Sequence, residues 1–149
     1  MASELQTKTK ALWAAVIAAI EDSRAAGQPL EDVAAFIEHT HQQIPVSNDV
    51  TLAVLELSLR PDVWGAQRGE ARLTALFVLC CSMQTVGAAA TALEGDAWAL
   101  ADLFTADPTL GGRCDDTVLE QLVPEGAVLE PRTLTATVEL SWKFDFVQP

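Results

Sequence analysis

The closing stretch of the chain alternates in polarity without a break. Leu134, Ala136, Val138, Leu140, Trp142, Phe144 and Phe146 occupy every second position, and Thr133, Thr135, Thr137, Glu139, Ser141, Lys143 and Asp145 fall between them. Side chains alternate across a β-strand, so this run has one apolar face and one polar face. Its β-branched threonines suit a pleated, half-covered surface. The register is tightly specified, because a slip of one residue would turn every apolar side chain to water. The run also exceeds the usual strand length of about 5–6 residues. Such a strand is expected to bend or to reach beyond its sheet, where a partner chain would cover the exposed strip.

The rest of the chain supplies what this strand packs on. Ser3 followed by Gln6 is a capping-box pattern. Leu5, Leu12, Trp13, Val16, Ile17 and Ile20 then mark one face of an alanine-rich helix that ends near Ala25-Ala26, with Gly27 as a left-handed stop. Pro29 with Glu31 and Asp32 suits the first turn of a second helix, read from Gln28 to Gln43 with Leu30, Val33, Ile37 and His41 on one face. Val50 to Arg60 reads as a strand whose first half is apolar on both faces and therefore covered on both sides. A second strand spans about Glu70 to Met83. The connection Pro61 to Gly69 is long for a tight hairpin, where two to about five residues are usual, and is expected to project as a flap with Trp64 near its tip. Val86, Ala90, Leu93, Ala97, Leu100 and Phe104 share a face of a helix from about Gln84 to Ala106, with Gly95-Asp96 as a candidate interruption. Asp107-Pro108-Thr109-Leu110-Gly111-Gly112 ends it, the glycines supplying positive φ, and a further strand covers Val118 to Val123. The expectation is one α+β domain over residues 1–149, with a small antiparallel or mixed sheet of about four strands packed against two or three helices.

Charge and composition exclude several classes of partner. A net charge of −12 argues against binding nucleic acid by phosphate neutralisation and against docking on anionic lipid. Half the residues are hydrophobic, yet no run approaches the ~18–20 apolar residues of a membrane span. Met1 to Lys10 is polar, without the apolar segment and cleavage site of a leader. Cys80, Cys81 and Cys114 are odd in number and lack C-x-x-C spacing, so they read as reduced, packed thiols in a reducing compartment.

Candidate chemistry is sparse. His39 and His41 are two apart and would share a face on a strand, but no thiolate or carboxylate is spaced to complete a metal site. Solvated histidines at a helix end are the default. Asp115, Asp116 and Glu120 suit a solvated edge better than a cation site. Gly111-Gly112 is no phosphate loop, since no Walker lysine follows and a strand comes next. No nucleophile-elbow or zinc-protease motif is present, and neither cofactor nor catalytic residue is assigned. Trp64 on a connecting loop, with Arg60, Asp62 and Arg68, has the composition of an interface anchor. The other reading of Trp64 is a lid folded back over the sheet.

The order helix, strand, strand, helix, D-P-x-L-G-G break, strand, alternating terminal strand resembles the tail terminator and minor tail (tail-completion) proteins of long-tailed bacteriophages. The carriers are the alanine-rich helix ending Leu103-Phe104, the turn Asp107, Pro108, Leu110, Gly111 and Gly112, the strand Val118 to Val123, and the closing run through Arg132 to Phe146. The likeness covers most of the chain after Pro45. Where Gln28 to Gln43 reads as helix, some members would have a short strand. The resemblance implies a structural, non-enzymatic virion protein, made in the host cytoplasm and placed at the head-proximal end of the tail. It implies a homo-oligomeric ring, usually of about six subunits, that caps the tail tube, stops its polymerisation and presents a surface to a head-completion or stopper protein. DNA would pass through the lumen without being specifically bound, and no membrane is involved.

Two other readings stand beside it. A head–tail connector or stopper would share size and charge while binding the portal side. A small-molecule-binding or enzymatic α/β domain would need polar groups converging on a pocket. On the interface reading, Trp64→Ala leaves the subunit folded and weakens assembly or tube binding. Unchanged assembly of that variant, followed by sedimentation, would remove Trp64 from the interface.

Overall fold

Ser3 starts the first helix as the capping pattern predicts, its Oγ accepting from the Gln6 backbone N–H at 3.2 Å. The computed structural model of the chain describes residues 3–39, 44, 49–63, 65, 67–82, 86–126 and 133–147. In chain order its elements are α1 (Glu4–Ser23), β1 (Val33–Ile37), β2 (Val50–Val63), β3 (Arg68–Ser82), α2 (Val86–Thr105), β4 (Asp116–Val123) and β5 (Thr133–Val147). The strands form one mixed sheet in the order β1-β2-β3-β5-β4. β1 is parallel to β2, and the other pairs are antiparallel. The α+β class is as expected, with five strands in place of about four.

The fifth strand is β1, and it corrects the helix read over Gln28 to Gln43. Turns carry the chain out of α1: Leu30 N–H donates to the Ser23 carbonyl at 2.8 Å, and Val33 N–H to that of Leu30 at 3.1 Å. Gly27, at φ 80, belongs to these turns, since α1 ends at Ser23. Arg24, just past the helix, donates to the carbonyls of Val33 and Ala34 at 3.1 and 2.9 Å. It thereby satisfies strand backbone that a helix would have satisfied internally. Val33, Phe36 and Ile37 are residues that strands favour, and pairing with β2 outweighs a weak helical periodicity. His41 lies outside the described residues.

The long terminal strand neither bends away nor overhangs. β3 pairs with it from Arg68↔Val147 to Ser82↔Thr133, so β5 is an interior strand. Both helices cover the face carrying Leu73, Phe77, Leu79, Val138, Leu140 and Trp142, all buried. Trp13 stacks on Phe77 with ring centroids 6.3 Å apart. Phe104 meets Trp142 edge to face at 5.3 Å. Leu12, Val16 and Ile20 of α1 and Leu93, Ala97, Leu100 and Phe104 of α2 complete the core. Each such large side chain contributes roughly 1.5–3 kcal/mol by leaving water. The first half of β2 is buried on both faces, Val50 to Val54 inclusive, as its two-sided apolar pattern predicts.

α2 runs unbroken through Gly95-Asp96, contrary to the interruption considered there. A glycine inside a helix costs about 1 kcal/mol without breaking it, and Asp96 caps nothing. The D-P-x-L-G-G turn behaves as read: Leu110, Gly111 and Gly112 take φ of 50, 68 and 86° in succession. Leu110 accepts its strained conformation while its side chain is buried. The Pro108 carbonyl is fixed by the Thr117 hydroxyl at 2.7 Å and the Cys114 thiol at 3.3 Å.

Leu140 is fully buried at the centre of β5. Leu140→Asp is expected to abolish cooperative unfolding, since it places an unpaired charge in the core. A soluble variant with a sharp thermal transition by circular dichroism would contradict this register.

Candidate functional site: the charged face and open edge of the β2–β3 hairpin

The hairpin is not the flap expected from Pro61 to Gly69. The ladder continues through Pro61↔Ala71, Asp62↔Glu70 and Val63↔Gly69, leaving only residues 64–67 as the connection. Gly69 makes this closure possible, because a Cβ there would lie 2.7 Å from the Asp62 carbonyl oxygen and from the Phe146 ring. Pro61 is tolerated because β2 has no described neighbour on its outer side at this level. Trp64 lies outside the described residues.

Directly paired residues share a face, so the strand registers lay out transverse rows on the side of the sheet away from the helices. One row is hydroxylic: Ser58, Thr74 and Ser141, with the Thr74 and Ser141 hydroxyls 3.0 Å apart. The next is cationic, Arg60, Arg72 and Lys143, and it ends on Asp116 of β4. The third is anionic: Asp62, Glu70 and Asp145. Successive rows are two residues, or about 7 Å, apart along the strands. Like charges directly opposite one another are destabilising in a sheet. Only partial relief is visible. Glu120 reaches Arg72 at 3.5 Å, an exposed pair worth at most about 1 kcal/mol. Among the described residues neither Arg60 nor Lys143 has an ion pair within 4.0 Å. These rows border a shallow concavity of about 720 Å³, lined among others by Ser58, Arg60, Asp62, Glu70, Arg72 and Glu139.

Of the residues singled out from the sequence, Arg60 and Asp62 fall in these rows, and Arg68 opens β3 opposite Val147. Arg72, Glu70, Lys143 and Asp145 were not singled out. Each belongs to an ordinary alternating strand, and only the register between strands reveals the rows.

The margin of β2 carries a second unforeseen feature. β1 pairs only with Val50 to Ala53, so the outer side of β2 beyond Ala53 pairs with no described residue. A bulge at Leu55 resets the alternation there. Leu57 and Leu59 consequently point to the helix-covered side, in rows with Ala75 and Leu140 and with Leu73 and Trp142. Those partners are buried, whereas Leu57 and Leu59 are 38% and 37% exposed and Leu55 is 44% exposed. Adjacent exposed leucines on an edge with no described partner are the kind of surface that favours association. Trp98, on the outer side of α2, is the other large exposed apolar side chain near the middle of an element.

Among the described residues, the other groups with perturbed titration or metal-ligating chemistry are spread over several elements. Cys80, Cys81 and Cys114 are free and buried, and burial pushes each thiol up. His39 is exposed. Among the described residues no group of three or more His, Cys, Asp or Glu side chains is placed to hold a metal ion, and no helix is long and apolar enough to cross a membrane. Asp96 is buried in α2 with Oδ2 lacking a hydrogen-bond partner among the described residues. Burial first, and then the Asp32 carboxylate, push its carboxyl up to about 7. A scan against protein-family models matches none, and a search of the curated proteins returns no match.

A carboxyl whose folded pKa lies above its unfolded value holds its proton longer in the fold. Its contribution is therefore complete below about pH 4 and is lost as pH rises towards 7. Asp96→Asn is expected to remove this loss and to raise stability at pH 8 by on the order of a few kcal/mol. Urea titrations of both proteins at pH 5 and pH 8 check this: parallel pH dependences would mean that Asp96 is ionised without cost.

Proposed function

We propose that this chain is a structural subunit of a tail-terminator-type ring. It associates with copies of itself on the end of a phage tail tube, stops tube growth and offers a surface to a head-completion protein. The observation that carries this is the sheet with two margins that pair with no described residue, one of them bearing the exposed Leu55, Leu57 and Leu59 beside a charge-striped face. Open edges that are neither short nor covered are association surfaces, and two different margins on one subunit suit a head-to-tail, closed ring.

Further support comes from the order of elements. The D-P-x-L-G-G turn joins the second helix to the strand that precedes the long terminal strand. The short strand β1 lies where some members of the resembled family would have one. The main concavity supports binding over chemistry: it is an open, mixed-charge sheet face, and neither histidine nor cysteine is among its described lining residues. A surface of this kind recognises a protein by complementary charge. On this reading the chain is not an enzyme, and DNA passes its acidic surface without specific contacts.

Light scattering over a concentration and salt series, with negative-stain imaging, is expected to find a closed ring several times the 15.9 kDa subunit mass. A chain that stays monomeric throughout and also leaves purified tail tubes uncapped would overturn the proposal.

A further inference from the structure

The two margins of the sheet are close in length. On β2, the stretch without a described outer neighbour begins at Val54, just past the last residue held by β1. Pro61, which has no N–H, ends the part able to form a regular ladder. Seven residues, Val54 to Arg60, lie between these limits. At the opposite margin β4, the eight residues Asp116–Val123, pairs with β5 alone among the described residues. β2 is antiparallel to β3, β3 to β5 and β5 to β4, so β2 and β4 point in opposite directions within one subunit.

We propose that these margins are the two halves of one interface: β4 of one copy pairs antiparallel with Val54–Arg60 of the next, continuing the sheet around the ring. The pairing rests on the ring reading above and names the surfaces such a ring uses. Rotation about an axis along the strands preserves strand direction, so β4 of a neighbouring copy arrives antiparallel to β2, the more stable arrangement. The same rotation keeps every transverse row level. Row by row, Asp116 of the next copy then lies opposite Arg60, Leu119 opposite Leu57, and Leu122 opposite Val54.

Each of these placements answers something the isolated subunit leaves open. Arg60, without an ion pair among the described residues, gains a carboxylate directly across the ladder. The row Arg60, Arg72, Lys143 becomes bounded by an aspartate at both ends, which offsets the repulsion within it. Leu57 gains an apolar neighbour on its own face. Glu56 meets Gln121, whose amide can donate to it. A slip of one residue would bring Asp116 level with a residue of the leucine-bearing face, so the pairing also specifies its register. A two-fold pairing of β2 with β2 about Ser58 would cover leucines and set Arg60 opposite Glu56, but it would leave β4 open and use one margin of the subunit only.

The test is disulfide trapping. Residues directly opposite in an antiparallel pair have Cα atoms about 4.5–5.5 Å apart, within disulfide reach. Both Arg60 and Asp116 are exposed, and the native thiols are buried. Arg60→Cys and Asp116→Cys chains, purified separately and mixed under mild oxidation, are expected to give a covalent dimer on non-reducing gels, while neither alone does. The double variant is expected to give a ladder that stops at the ring. Arg60→Glu is expected to weaken association about tenfold per interface, and Asp116→Arg in that background to restore it. Matching melting curves show that the variants fold. Cross-linking of Arg60→Cys alone would mean β2–β2 pairing and overturn the inference. Rings of wild-type mass without cross-links in the mixture would overturn this interface and leave the ring standing. Neither rings nor cross-links at any concentration would overturn both.

Discussion

Fifteen consecutive antiparallel pairs between β3 and β5 carry the architecture. The two strands have the same length and their apolar alternations coincide. Small residues on one strand face large ones on the other: Ala71 lies opposite Phe144, Ala75 opposite Leu140, and Leu79 opposite Ala136. This complementarity evens out the apolar face on which the helices pack. β2 joins β3 on one side, β4 joins β5 on the other, and both helices cover the face that the central ladder defines. Because the ladder consumes the full length of β5, the overhang expected from its length never arises. The unpaired backbone is displaced to the outer strands, β2 and β4.

How much of this was legible depends on how local the signal is. β5 shows itself in seven alternating apolar positions, and the break at Asp107–Gly112 in its glycines, because those signals need no partner. β1 did not show itself. Five residues are too few to establish a period, and its strand character comes from β2 beside it and from the Arg24 guanidinium holding its carbonyls. The hairpin end misled for a related reason. Pro61 and Gly69 are usual marks of a loop, yet one sits on an open edge where a missing N–H is harmless. The other lies where a side chain would strike the facing backbone and the Phe146 ring. Gly95-Asp96 suggests an interruption because glycine disfavours helix interiors and aspartate favours helix starts, yet α2 continues through both. The burial of Asp96 depends on what packs against α2, which sequence order does not reveal.

The candidate surface was legible only in outline. Arg60 and Asp62 stand out by composition, but their meaning lies in a register involving β3 and β5. Three like charges in line, twice, are an arrangement that stability alone disfavours. In a fold whose net stability is typically only about 5–15 kcal/mol, such a cost matters, and the proposed neighbour would offset part of it. The leucines of β2 follow the same logic. They occupy the face that is core elsewhere in the sheet, yet neither helix extends over them.

A surface of this kind works by summation. Each exposed ion pair contributes up to about 1 kcal/mol, and each cross-strand contact roughly 0.2–1 kcal/mol. In the proposed ring one such interface is weak, and a net charge of −12 adds mutual repulsion. Closure would change the balance: each subunit of that ring would be held at both margins, so losing one would require breaking two interfaces at once. Closure also removes the open edges themselves, as it does in a barrel. The features that look like defects in the single chain, an exposed leucine edge and a charge row only partly relieved, are on this view the parts left for the neighbour to complete.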